Sequence, residues 1–172
     1  GTGVGLWSSI TKDMKKPAHI VVKKDRTVAG SLISLMEETG NGNMFMEPVE
    51  ALMTITEKTL LIVVDTHSPD FLEYARVYEK AARVVVIDHH RMMVNHISNA
   101  LVFFHEPYAS SAAEMATELI QYMGDKGLTK YEAAALLAGI TLDTKNFVLK
   151  TGVRTFEAAA YLSLIHISEP TR

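Results

Sequence analysis

A parallel β-sheet with helices on both faces, an α/β domain, is predicted by two features of this sequence. The first is a pair of continuous apolar runs, "TLLIVVD" at 59–65 and "ARVVVID" at 82–88. A strand with one wet face alternates apolar and polar residues, whereas a strand buried on both faces does not. The second is the alternation of such runs with helical patterns, which parallel strands require because each is reached by a right-handed crossover. The 172 residues suffice for one domain with a real core, and 48% hydrophobic with 22% charged residues is a globular composition.

Each element has its own signal. "LWSSITKDMKK" reads as a helix ending in Lys12, Lys15 and Lys16, cations that suit the negative end of the helix dipole. "AHIVVK", 18–23, reads as a strand, and "VAGSLISLMEE", 28–38, as a helix stopped by the "TGNGN" turn. "EPVEALMTI" is a short helix with Pro48 near its first turn. After the two apolar strands, "LVFFHE", 101–106, is a further strand. "SSAAEMATELIQYM" sets Ala116, Leu119, Ile120 and Met123 on one helical face and opens with a capping box, Ser111-x-x-Glu114. "TKYEAAALLAGITLD", 129–143, is an Ala/Leu-rich helix capped by Thr129. "RTFEAAAYL" begins another, which the polar "HISEPTR" breaks off. The glycines of "GTGVGL" are assigned to close helix packing, since the strand that a dinucleotide loop needs does not precede them. The methionines read as core filler and the basic residues of 12–26 as a solvated face.

A formal net charge of −3 gives no general pull towards nucleic acid or an anionic membrane, so a phosphate ligand must be held by local charge. The absence of cysteine excludes disulfides and thiolate zinc sites, and an intracellular setting fits. The apolar runs "TLLIVV" and "AAALLAGI" are too short to span a bilayer. The chain opens at Gly1 without Met, as though cut from something longer. Residues 163–172 resemble the translated reading of a transposon sequencing adapter and are set aside from the fold as an artefact.

The chemistry concentrates where the strands stop. "LIVVD" ends at Asp65 and "VVVID" runs into Asp88, His89 and His90. If the two strands are neighbours, these residues share one sheet edge, where open parallel sheets collect ligands. Carboxylates packed that closely repel one another, and a divalent cation resolves the conflict. Carboxylate and imidazole without sulfur suit Mn²⁺, Fe²⁺, Co²⁺ or Mg²⁺ better than structural zinc. A third acid, Asp143, stands at a helix C-terminus, where the dipole disfavours it and a cation would compensate. Taken alone, Asp65 is more simply a turn residue, and His19, His67, His96 and His105 are assigned to structural roles. His166 falls in the set-aside tail. No Ser/His/Asp or Cys/His nucleophile arrangement is visible.

These residues resemble the DHH phosphoesterase superfamily. "VVDTHSPD", "VVVIDHHR", "EPYASSAAEMATELI" and "AAALLAGITLDTKNFVLKTGVRTFEAAAYL" are similar to the cyclic-di-AMP phosphodiesterases of the GdpP type, over about residues 1–162. The resemblance implies a DHH phosphoesterase domain over 1–162 with a two-ion centre, typically manganese, and hydrolysis of cyclic-di-AMP to linear pApA. It implies that Asp65 bridges the ions, that His89 and Asp143 are ligands, and that His90 contacts phosphate. Asp88 would orient the metal-bound imidazole from behind, and Arg91 and Lys145 are candidates to hold substrate phosphate. The family's first motif, a His followed by two closely spaced acids, is expected just before "GTGVGLWSSI", and the base-binding DHHA1 domain is expected after this region. The domain is therefore expected to be truncated at both ends and inactive as it stands. The parent protein is expected to be anchored in the cell membrane with this domain in the cytoplasm, with no nucleic-acid polymer as partner and with homodimerisation open. An oligoribonuclease or pAp phosphatase, a manganese inorganic pyrophosphatase, and a non-catalytic nucleotide-binding module are the alternatives.

Overall fold

A computed structural model describes residues 1–24, 30–39, 43–124 and 127–168. Positions 25–26, 28–29 and 40–42, which belong to the basic stretch, the second expected helix and its "TGNGN" stop, lie outside the described residues, as do 169–172 of the set-aside tail. In chain order the first elements are helix α1 (Thr2–Ser8), strand β1 (Ile20–Val21), helix α2 (Gly30–Glu38), strand β2 (Phe45–Met46) and helix α3 (Pro48–Thr54). Strand β3 (Leu60–Val64), helix α4 (Ala75–Lys80) and strands β4 (Arg83–Asp88) and β5 (Val102–His105) follow. Helices α5 (Ala112–Met123), α6 (Lys130–Asp143) and α7 (Val153–Ser168) close the chain.

Where the sequence reading has one domain, the contacts fall into two compact units, His19–Pro107 and a helical unit of Gly1–Ala18 with Tyr108–Arg172. In the first, β3, β4 and β5 form a parallel sheet in that order, and β1 pairs with β2, also in parallel. The α/β class with parallel strands therefore holds, but the expected single sheet is two among the described residues. The expected strand at 18–23 shrinks to the two residues of β1, and neither β2 nor α4 was read from the sequence. Two-residue strands and a six-residue helix carry too little periodicity to stand out.

The sheet holds by burial. Val63, Val84 and Val86 pack with Ala81 and with Ile97 of the loop after β4. A fully buried side chain of this size contributes about 1.5–3 kcal/mol. Met46, Ala51 and Val77 form a second cluster joining β2, α3 and α4. Met36, Met44 and Met115 are core filler as expected, whereas Met53 and Met92 lie on the surface.

In the helical unit α1 packs on α6 and α5, and α7 on α6 and α5. The glycines explain the close approach: a Cβ at Gly5 would stand 2.6 Å from the Leu136 side chain, and one at Gly139 2.9 Å from the Ala113 Cβ. The first helix begins earlier than expected and continues through Ser9–Asp13 as a wider π-helical turn, leaving Lys15 and Lys16 beyond it. Lys12 does not belong to a solvated face. Its ammonium reaches the buried Glu132 carboxylate at 2.7 Å and donates to the Gly127 carbonyl at 2.8 Å.

Thr129 caps α6 in a full capping box, with Glu132 answering the Thr129 backbone N–H at 2.8 Å. At α5 only half of the expected box forms. The Ser111 hydroxyl accepts from the Glu114 N–H, but the Glu114 carboxylate accepts from the Ser110 hydroxyl at 2.5 Å and the Thr155 hydroxyl at 2.6 Å instead. The expected break at "HISEPTR" does not occur at its start, because α7 stays helical to Ser168. No helix among the described residues is long and apolar enough to cross a membrane.

Candidate metal centre

Strands β3 and β4 end side by side. Their register pairs Val64 with Ile87, so Asp65 and the Asp88-His89-His90 group share one edge at the carboxyl ends. Asp65 turns out of β3 with φ +64°, while its N–H still donates to the Ile87 carbonyl at 3.0 Å. A left-handed backbone costs a non-glycine residue about 1–2 kcal/mol. Held strain of this kind concentrates where a side chain must point in one direction.

His89 is buried, and its Nε2 lies 3.4 Å from Oδ1 of Asp65, whose side chain is 51% exposed. Two donors each about 2.1 Å from one ion and at right angles to each other would be about 3.0 Å apart. The observed pair is thus close to the span that one cation bridges. The His90 ring centroid lies 4.4 Å from that of His89, and its Nδ1 is 4.0 Å from the same Asp65 oxygen. One ligand atom from each of Asp65, His89 and His90 lies within 4.8 Å of the others. This donor set, one carboxylate and two imidazoles with no sulfur, fits Mn²⁺, Fe²⁺ or Co²⁺.

Behind this group sits Asp88, fully buried. Its Oδ1 accepts from Nδ1 of His90 at 2.7 Å, and its Oδ2 pairs with Nδ1 of His67. Burial pushes this carboxyl up, but the bonds from His67 and His90 and the charge on His90 outweigh it and hold Asp88 below the usual carboxylate range. The imidazoles that Asp88 holds are therefore those of His67 and His90. Nε2 of His67 accepts from the Met93 N–H at 2.9 Å, and Nε2 of His105 donates to the His90 carbonyl at 2.6 Å.

The structure thus brings Asp65, Asp88, His89 and His90 together. Arg91 is exposed at the start of the loop that follows. Asp143 ends α6 in the helical unit with an exposed side chain, and Lys145 lies just past it with φ +48°. There Lys145 helps to line an apolar groove of about 820 Å³ between α6 and α7. His67 and His105, structural histidines on the sequence alone, connect to this site through Asp88 and the His90 carbonyl. The signal was there for His67, which lies two positions past the strand-ending Asp65.

Comparison with known proteins places this geometry. The DHH family, N-terminal domain, matches residues 6–140, a stretch that runs through both units. The chain is 42% identical over 166 residues to the cyclic-di-AMP phosphodiesterase GdpP of Geobacillus thermodenitrificans, covering 94% of this chain and 25% of that protein. It is 51% identical over 116 residues to the cyclic-di-AMP phosphodiesterase PdeA of Listeria monocytogenes, covering 67% of this chain and 18% of that protein. The chain thus spans a quarter or less of these curated relatives. In fold it is similar to an exopolyphosphatase-related protein from Bacteroides fragilis, with TM-score 0.67 and 17% identity over 96% of this chain and 48% of that one. It is also similar to a putative family II inorganic pyrophosphatase of Methanococcus jannaschii, with TM-score 0.53 and 22% identity over 80% of this chain and 45% of that one. On the family match and these identities, the chain belongs to the DHH family.

Proposed function

We propose that this chain is the metal-holding part of a phosphodiesterase that hydrolyses cyclic-di-AMP to linear pApA. The observation that carries the reading is the meeting of Asp65, His89 and His90 at the ends of β3 and β4. The likeness of the chain to part of proteins named cyclic-di-AMP phosphodiesterases supports the choice of substrate.

In the proposed centre Asp65 and His89 would hold manganese, and Asp143 is proposed as a metal ligand as well. A divalent ion bound there neutralises phosphodiester charge and lowers the pKa of a bound water. The Asp65 carboxylate is half exposed to solvent, while the His89 ring is buried. His90 has its Nδ1 proton engaged by Asp88, which leaves Nε2 for phosphate. Arg91 and Lys145 are proposed to carry charge for substrate phosphate. Water attacks phosphorus, the bond to the 3′-oxygen breaks, and that oxygen leaves with a proton. The reading includes a parent protein anchored in a membrane with this domain in the cytoplasm.

The test is a graft of residues 1–162 in place of the matching segment of the Geobacillus relative, assayed with Mn²⁺. Release of pApA is expected, with a loss of at least ~100-fold in Asp65→Ala and His89→Ala at unchanged melting temperature. Turnover near that of the graft in both variants overturns the assignment. Faster cleavage of short RNA or of pyrophosphate than of cyclic-di-AMP replaces the substrate.

A further inference from the structure

His67 is buried and belongs to no step so far described, yet three of its groups bind it to Asp88 and to the loop after β4. Its backbone carbonyl accepts from the Ile97 N–H at 2.8 Å. Its Nε2 accepts from the Met93 N–H at 2.9 Å. An imidazole nitrogen that accepts from an N–H carries no proton of its own, so the His67 proton is on Nδ1. Nδ1–H therefore donates to Oδ2 of Asp88. The other Asp88 oxygen, Oδ1, accepts from Nδ1–H of His90 at 2.7 Å.

The result is a directed chain: Met93 N–H to His67, His67 to Asp88, and Asp88 to His90. The His90 backbone is held as well, because His105 Nε2–H donates to its carbonyl at 2.6 Å. The His67 ring meets His105 edge-on, with centroids 5.4 Å apart. His67, Asp88 and His105 also lie close enough to share an ion. Both His67 nitrogens, both Asp88 oxygens and Nε2 of His105 are already engaged in hydrogen bonds, so this second cluster is a support and not a second metal site.

We propose that His67 is a positioning residue: by orienting the Asp88 carboxylate it fixes the His90 proton on Nδ1 and presents Nε2 of His90 to the ligand. This rests on the proposed phosphodiesterase reading only for what the ligand is. Outer partners that orient a functional imidazole are typically worth 10–100-fold in activity or affinity.

Three substitutions separate positioning from mere packing. In His67→Asn the side-chain amide takes the place of Nδ1 and still donates to Asp88. In His67→Gln the amide oxygen takes the place of Nε2, keeps Met93, and leaves Asp88 without its donor. In His67→Phe both bonds go while the ring volume stays. Nitrogen-15 spectra of the imidazoles in the metal-free chain, recorded at about pH 8, above the ordinary range of a free imidazole, report the tautomer directly. The Nδ1–H form of His90 is expected in the native chain and in His67→Asn, with a mixture in His67→Gln and His67→Phe. In the grafted relative, turnover is expected to fall about 10–100-fold in His67→Gln and to recover in His67→Asn. A native His90 protonated on Nε2 overturns the proposal, as does an unchanged tautomer or unchanged turnover in His67→Gln. If the native graft cleaves no cyclic-di-AMP while the tautomer follows the expected pattern, the substrate reading fails and the positioning role stands.

Discussion

Oδ1 of Asp65 stands 3.4 Å from Nε2 of His89, one residue past the end of each of two paired parallel strands on the β3 side and just beyond β4 on the other. The Val64–Ile87 register brings the two strand ends side by side, and the turn at Asp65 completes the approach. It brings a carboxylate and an imidazole together, the donor types that could hold a shared divalent cation.

The first prediction concerns that cation. Mn²⁺ titrated into the chain and followed by electron paramagnetic resonance should bind at least ~10-fold more weakly in Asp65→Ala and in His89→Ala. Equal affinity in both variants would remove the ligand assignment.

A second prediction follows from the Asp65 backbone, at φ +64°. Glycine accepts this conformation freely and valine does not. In the metal-free chain Asp65→Gly should unfold at higher urea than Asp65→Val, by about 1–2 kcal/mol of stability. Equal stability would mean that the turn relaxes and holds no strain.

Acid gives a third. Burial pushes the Asp88 carboxyl up, but the hydrogen bonds from His67 and His90 outweigh it and hold the group below the usual carboxylate range. Because the folded value lies below the unfolded one, the ionised group stabilises the fold fully above the unfolded value. That contribution is lost as pH falls through the folded value. Asp88→Asn should therefore flatten the acid limb of a stability–pH profile below about pH 4, and a profile as steep as the native one would refute this.

Helix packing supplies the fourth. Leu136 is fully buried and has little room to retreat from a new methyl group at Gly5. Gly5→Ala and Gly139→Ala should each cost about 1–3 kcal/mol in denaturant melts. Gly152→Ala meets nothing within 4 Å and serves as the control. Indifference at all three positions would contradict the close approach of α1, α5 and α6.

How much of this was legible depended on how local each cause was. Val84–Ile87 announced a buried strand because burial on both faces removes alternation, and the Thr129 cap was visible because its partner lies three residues on. Glu114 was misread because it turns to Thr155, 41 residues away, and no short-range rule sees that. Lys12 passed for a surface cation for the same reason, its partner Glu132 being 120 residues distant. His67 stayed hidden because its role comes from the Asp88 carboxylate on the neighbouring strand. The meeting of Asp65 and His89 was legible, since each follows directly on an apolar strand.

The most direct measurement is the anomalous scattering of manganese in crystals of this chain. An ion between Oδ1 of Asp65 and Nε2 of His89, in bonding contact with both, is the predicted result. Manganese bound elsewhere on the chain, with that position empty at saturating metal, would contradict it.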